Sequence, residues 1–287
     1  MQEDGIGLLN LVYRTGVVRR TEPVETQIPP DGGCDCDKFK PNSPGGALLH
    51  PHWAVYLRVL LALHITCGAV AFVCAPVALA TAKGGRTHRQ WGKVYFWAMA
   101  GVAATALILS FALPIFFLAM VAVFSFYASF SAYRILYLKE MYQGARPKLV
   151  DWLAAVVTVL SSLLLFLMGF LKPALMGVGQ IHVAGHTVSI VSIVFGLLGM
   201  RMGLGSIARF LKRPQEKMFW WFGHMQGMIA SYIAAMTAFS AVNLSHWFGA
   251  AWWVWLWPTI VGAPAISIWT AYYKKKFSRK TAEAAAR

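Results

Sequence analysis

The stretch that decides the fold is residues 54–80, AVYLRVLLALHITCGAVAFVCAPVALA, in which Arg58 is the only charged residue. A helix needs about 20 apolar residues to cross about 30 Å of hydrocarbon. In an α-helix, such a segment also pairs all of its backbone amides internally. Six further apolar runs follow. The seven predicted spans are residues 54–80, 94–113, 115–138, 152–171, 182–200, 219–244 and 251–273. The sequence therefore predicts an all-α, polytopic transmembrane helix bundle with about seven spans.

Composition supports the same fold class. The chain is 58% hydrophobic and 13% charged, and that charged fraction is about half of what a soluble domain carries. Residues 1–53 are rich in Pro, Gly and acidic side chains, which predicts an extended tail with a candidate interfacial helix at residues 6–18. The predicted organisation is this tail, a transmembrane helical domain at 54–273 and a basic cytoplasmic tail at 274–287.

The connections between spans alternate between rich and poor in Lys and Arg. Basic clusters follow the first, third, fifth and seventh spans, so they share one side, which the positive-inside rule assigns to the cytoplasm. This orientation predicts a cytoplasmic C-terminus and an N-terminus outside. The net charge of +15 belongs mainly to these clusters. It indicates anionic lipid headgroups as partners and disfavours nucleic acid.

Histidines are the candidate site residues. His64, His182 and His186 fall in the outer half of the predicted topology, whereas His224 and His88, the latter in the loop after the first span, fall in the inner half. Two groups at two depths suit a pair of b-type haems, because each haem iron can take an imidazole from two facing helices. The alternative is that these histidines bind lipid headgroups, loop carbonyls or water.

Small residues near these histidines are predicted to let helices approach closely or to leave room for a flat macrocycle. They are Gly68, Gly196, Gly199 and Gly227. The predicted tail holds a second candidate, the pair Cys34 and Cys36, as a metal or redox site. Two thiolates without a second pair fall short of a zinc site, and the alternative is an ordinary tail with incidental cysteines.

Two motifs carry a resemblance to a known family. The first is His64-x3-Gly68, then Pro76, Lys83-Gly84 and His88-Arg89-x2-Gly92-x2-Tyr95, and the second is His224-x3-Met228-x2-Ser231-Tyr232. Over roughly residues 54–245 the chain resembles a large family of predicted bacterial membrane proteins of unknown function. The resemblance implies a multi-helix membrane fold and nominates His64, His88, Arg89 and His224, but it implies no reaction. A second resemblance, to the diheme transmembrane cytochromes b, rests on histidine depth alone.

Three functions fit the sequence. The first is b-type haem electron transfer, the second is a structural or accessory subunit that binds other membrane subunits, and the third is a small-solute transporter lined by histidines. The first ranks ahead of the second by a small margin. A soluble-substrate enzyme is disfavoured, because the sequence shows no Ser-His-Asp set, phosphate-binding loop or paired carboxylates.

Overall fold

The computed structural model describes residues 51–112, 116–170, 185–249 and 251–285, and no strand occurs in these ranges. The predictions for the N-terminal tail, including Cys34 and Cys36, lie outside the described residues. The contacts discussed below all lie within residues 62–287, which form one compact unit. The helices are α1 (Pro51–Ala80), α2 (Arg86–Ala112), α3 (Phe116–Arg134), α4 (Leu149–Met168), α5 (Gly185–Leu211), α6 (Phe219–Asn243), the short α7 (Ser245–Phe248) and α8 (Trp252–Ala285).

Seven of the described helices, all except α7, are long and apolar enough to cross a membrane. The prediction of an all-α bundle with seven spans is confirmed. The chain is therefore a multi-pass integral membrane protein. The antiparallel order follows from the short connections between successive spans, because a helix that leaves the membrane must return through it.

The ends of several helices differ from the predicted ends of the spans. α2 begins at Arg86 instead of residue 94, α5 continues to Leu211 instead of residue 200, and α8 continues through the basic stretch to Ala285. Hydropathy indicates where a chain enters hydrocarbon, whereas a helix continues as long as its main-chain hydrogen bonds are formed. Lys, Arg, Glu and Gln are good helix formers, so they extend α2 and α8 past the apolar core. Residues 201–211 of α5 are mostly apolar and belong to the span itself.

One consequence is a correction at His88, which was predicted to lie in a loop. The Arg89 amide donates a hydrogen bond to the Gly85 carbonyl at 3.1 Å, and His88 lies in the first turn of α2. The reason is the Lys83-Gly84-Gly85 turn, in which Gly84 adopts a φ of 79°. This conformation favours glycine and allows a tight reversal between α1 and α2.

Glycines bring α4 and α5 into close contact. A β-carbon on Gly196 would lie 2.6 Å from Cβ of Phe166, and one on Gly203 would lie 2.6 Å from Cγ2 of Val159. Gly199 packs just as closely against Ser162. These distances are well below the separation of carbon atoms in normal contact. Gly196 and Gly199 therefore serve close helix approach, one of their two predicted roles.

α3 is the central helix, since it contacts α2, α4 and α6. Apolar side chains fill two cores on either side of it. One core joins α1, α2 and α6 and contains Ala71, Cys74, Ala75, Tyr95, Ala98 and Met99. The other joins α3, α4, α5 and α8 and contains Phe117, Met120, Phe124, Leu165, Val188, Val191, Phe195 and Leu256. The first core lies directly beside the histidines described next.

Candidate histidine site

His88 binds the end of the preceding helix. Its Nδ1–H donates a hydrogen bond of 2.9 Å to the carbonyl oxygen of Ala78. Ala78 lies in the last turn of α1, where carbonyl groups have no intrahelical amide to accept from. The Lys83 ammonium donates to the carbonyls of Ala78 and Leu79, and its partial burial lowers the pKa of Lys83. With the Thr81 hydroxyl, which also donates to the Ala78 carbonyl at 3.0 Å, three side chains cap the C-terminus of α1.

His224 makes the equivalent contact on the other side of the site. Its Nδ1–H donates a hydrogen bond of 2.8 Å to the carbonyl oxygen of Ala132, in the last turn of α3. Glycines make this contact possible, because a β-carbon on Gly227 would lie 2.7 Å from Cβ of Ala132 and 3.0 Å from the Ala128 carbonyl oxygen. Gly227 thus brings α6 close enough to α3 for the imidazole to reach a main-chain oxygen.

These two hydrogen bonds fix the tautomer of both rings. A carbonyl oxygen can only accept, so Nδ1 of His88 and Nδ1 of His224 each carry the proton. In the neutral ring, Nε2 then carries a lone pair. Histidines that bind metals show the same arrangement, in which the second ring nitrogen donates to a carbonyl or carboxylate. Here each imidazole is oriented by a helix end and keeps one nitrogen available as a ligand.

The two rings are neighbours, at a centroid separation that would suit one metal ion. Their centroids are 6.2 Å apart and their planes are inclined at 81°. With a metal–nitrogen distance of about 2 Å, two imidazole centroids lie about 6 Å apart on opposite sides of one ion and about 5 Å apart at a tetrahedral angle. The observed centroid distance is close to the larger of these two values. We refer to His88, His224 and the Ala78 and Ala132 carbonyls as the histidine site.

The donor set also points away from a closed metal site. Within the ranges that the structure describes, no group of three or more His, Cys, Asp or Glu side chains could hold a metal ion. A structural zinc ion needs four such ligands, whereas a haem iron needs only two from the protein. One turn along α2 from His88, a β-carbon on Gly92 would meet no heavy atom within 4 Å. His88 and His224 are the residues that would hold a b-type haem.

His64 is oriented in a similar way on the far side of the first core. Its Nδ1 lies 2.9 Å from Oγ1 of the buried Thr105. The Thr105 hydroxyl donates its only proton to main-chain carbonyls of its own helix, the nearer being that of Gly101 at 2.7 Å. His64 must then be the donor, so its Nε2 also keeps a lone pair. Gly68, one turn further on, has open space beside it.

The structure brings together only some of the predicted site residues. His88 and His224 share one site, and His64 lies apart from them with Thr105. His182 falls outside the described residues. His186 lies in the first turn of α5, but its side chain is not among those described. The exposed Arg89 neighbours His88 on α2.

A buried hydrogen bond continues the histidine site into the membrane. The Tyr95 hydroxyl and the Ser231 hydroxyl lie 2.7 Å apart, and Ser231 is fully buried. Tyr95 follows His88 by seven residues, and Ser231 follows His224 by seven. Positions seven apart lie on the same face of a helix, two turns on. This matched spacing is the sequence signal that could have identified the pair.

A buried ion pair was also missed. Arg134 donates to Asp151 through two hydrogen bonds, Nε to Oδ1 at 2.7 Å and Nη2 to Oδ2 at 2.9 Å. The Lys148 amide donates a third bond of 2.9 Å to Oδ2. In the sequence, Arg134 is one residue of a basic cluster and Asp151 lies at the edge of a predicted span. Neither feature predicts that the two residues pair. The signal was the acidic residue in the first turn of α4, where a helix favours negative charge.

Comparison with protein-family models, curated proteins and solved structures finds no match to this chain. The family resemblance of the two motifs stays a prediction. The geometry of the histidine site is therefore the basis for the functional argument.

Proposed function

We propose that this membrane protein transfers electrons through a b-type haem whose iron is bound by His88 and His224. The observation that carries the proposal is the neighbouring pair of imidazoles, each with Nδ1 bound to a helix-end carbonyl and their centroids 6.2 Å apart. Capping of α1 and α3 explains the two Nδ1 bonds. It does not explain why the two rings, which come from different helices, lie within 6.2 Å of each other.

Each side chain has a defined task in this proposal. His88 and His224 bind through Nε2, and the Ala78 and Ala132 carbonyls hold the rings in position and make them more basic ligands. A haem held by these two histidines would supply one-electron transfer. Arg89 provides positive charge beside His88, which suits the carboxylates of a haem.

We further infer that the end of the bundle with the histidine site faces the cytoplasm. Supporting this orientation, basic residues gather in the α1–α2, α3–α4 and α5–α6 connections and at the end of α8, as the positive-inside rule requires. Lys139 also lies over the ring of Trp220 at 4.3 Å, near His224. We propose anionic lipid headgroups as partners of this basic end.

His64 is proposed as a ligand of a second haem at the opposite depth. Support comes from its bond to Thr105, which leaves Nε2 free, and from the open space beside Gly68. The sequence offers His182 or His186 as the second ligand. Two haems at two depths would let electrons cross the bilayer, whereas one would serve exchange at a single surface.

The test removes a proposed iron ligand but keeps the side-chain hydrogen bond to the helix-end carbonyl. In His224→Asn, the side-chain amide can donate to the Ala132 carbonyl as Nδ1–H does, but it offers no nitrogen ligand in place of Nε2. We expect the purified wild-type protein, expressed with ample haem supply, to show a reduced-minus-oxidised b-type spectrum. His224→Asn and His88→Asn should each lose the signal of the inner haem while keeping the melting temperature of the bundle.

His64→Asn is the matched control, since it changes a similarly oriented histidine outside the inner pair. It should leave the inner signal in place and remove only the contribution of a second haem. A colourless, folded wild-type protein would refute the proposal. So would an unchanged spectrum in both His224→Asn and His88→Asn.

A further inference from the structure

Arg201 is an unusual residue for the surface of a membrane protein. It lies on α5 and is exposed, and it forms no hydrogen bond or ion pair with any residue that the structure describes. Its neighbours on the same face, Leu197 and Leu204, are 50% and 52% exposed, as expected for side chains that contact lipid. A single cation therefore stands in an apolar, outward-facing stripe.

Its depth follows first from α5 itself. The membrane-spanning part of α5 is Thr187–Leu211. Arg201 is fourteen residues from its first residue and ten from its last, which is about 21 Å and about 15 Å along the helix axis. Half of a hydrocarbon core of about 30 Å is about 15 Å. Arg201 is therefore at least that far from each end of the segment.

The packing of α4 gives the same depth independently. Arg201 lies between Gly199 and Gly203, which pack against Ser162 and Val159 of α4. The spanning part of α4 is only 20 residues long, Leu149–Met168, so nearly all of it is needed to cross the membrane. Residues 159–162 lie close to its middle. Arg201 is therefore near the midplane.

The guanidinium has no easy route to a headgroup. Helical side chains tilt toward the N-terminus of their helix, so Arg201 points toward the end of α5 that is about 21 Å away. An arginine at a span end can extend to the interface, but one at the midplane facing lipid is costly and marks a functional position. A group outside this surface must satisfy it.

A second copy of this chain cannot supply that group. Only four of the eleven acidic residues follow residue 53, namely Glu140, Asp151, Glu216 and Glu283. None of the four lies in the middle of a span, and Asp151 is already paired with Arg134. A self-association of α5 would place two arginines together without a carboxylate, which is unfavourable in hydrocarbon.

We propose that the α5 stripe of Leu197, Arg201 and Leu204 binds a transmembrane helix of a different protein, and that this helix carries an Asp or Glu at mid-depth. The apolar residues supply close packing, and the carboxylate pairs with the guanidinium by charge-assisted hydrogen bonds. The inference goes beyond electron transfer and does not depend on it. It assigns the protein a partner protein within the membrane.

The test uses a designed partner in vesicles of zwitterionic phosphatidylcholine. The full-length protein and a Leu/Ala membrane-spanning peptide with one central Asp carry a donor and an acceptor dye, and energy transfer reports association. We expect the Asp peptide to bind the wild-type protein, and Arg201→Leu to bind it about tenfold more weakly. A peptide with Leu in place of Asp should bind both proteins equally and weakly.

Arg58→Leu is the matched control, because Arg58 is also exposed but lies in the first turn of the spanning part of α1, Val55–Ala80. It should leave binding of the Asp peptide unchanged. Equal binding of the Asp peptide to wild type and Arg201→Leu would overturn the proposal. Formation of wild-type dimers that are lost in Arg201→Leu would overturn it in favour of a second copy. None of these readouts requires haem.

Discussion

The Arg134–Asp151 pair offers a quantitative test of how the C-terminal end of α3 and the N-terminal end of α4 are held together. The Asp151 side chain is only 2% exposed, whereas that of Arg134 is 20% exposed. In Arg134→Gln, a buried carboxylate keeps one main-chain donor and loses both guanidinium bonds. In Asp151→Asn, the arginine loses its counter-charge but can turn toward water or a headgroup.

The two substitutions should therefore differ in cost. Breaking a buried ion pair by removing one partner costs about 3 to 5 kcal/mol. We expect Arg134→Gln to lower the free energy of unfolding by about 4 to 5 kcal/mol, and Asp151→Asn to lower it by about 3 kcal/mol. The asymmetry arises because the buried charge of Asp151 keeps only the Lys148 amide, whereas Arg134 can reach water or a headgroup. The double variant Arg134→Met/Asp151→Leu should lie within about 2 kcal/mol of wild type, since no charge remains buried and only the helix cap is lost.

The measurement is unfolding of the purified protein in mixed micelles by added SDS, followed by circular dichroism and tryptophan fluorescence. The reasoning would be refuted by a larger loss in Asp151→Asn than in Arg134→Gln. It would also be refuted if the double variant were less stable than both single variants. Equal losses of less than about 1 kcal/mol would mean that the pair behaves as an exposed surface ion pair.

Three further predictions concern helix packing and orientation. Gly227→Leu should lower the free energy of unfolding by about 1 to 3 kcal/mol, because its β-carbon overlaps Ala132; Gly92→Leu, in open space, is the control and should have little effect in the same SDS titration. Tyr95→Phe and Ser231→Ala should each cost about 1 to 2 kcal/mol by leaving a buried hydroxyl unpaired, and the double variant should recover part of the loss; a strictly additive double variant would argue against the hydrogen bond. A cysteine placed at Arg146 should resist an impermeant thiol reagent added outside cells, whereas one at Gly249 should react, and the reverse pattern would overturn the proposed orientation.

Sequence reasoning succeeded where the structure follows from local properties. Each span is a run of about 20 apolar residues, so the number and order of the spans could be predicted one segment at a time. Helix ends could not, because Arg86–Lys93 are polar enough to end a span while still favouring a helix, and because the single charge of Arg201 interrupts an apolar run that continues to Leu211. For this reason the position of His88 on α2 was missed.

The contacts between helices were the harder part. Depth alone grouped His88 with His224, and the structure places their rings 6.2 Å apart. The oxygens that orient them, on Ala78 and Ala132, belong to the main chain. Every residue carries such an oxygen, so no side-chain pattern singles them out. The rotation of α6 about its axis decides which carbonyl His224 reaches, and Gly227 sets that rotation only through packing.

The glycine contacts between α4 and α5 also bear on how the protein is made. All of these contacts lie within residues 149–211, so neither helix needs later parts of the chain to find its partner. We expect the two helices to pair in the membrane as soon as α5 has been synthesised, while α6 and α8 are still on the ribosome. The α4–α5 pair would then form first, with the Leu- and Val-rich surface of α4 toward lipid, and α3 would pack against this pair afterwards. A bulky residue at Gly199 would therefore act during synthesis, by delaying insertion and exposing the nascent chain to degradation.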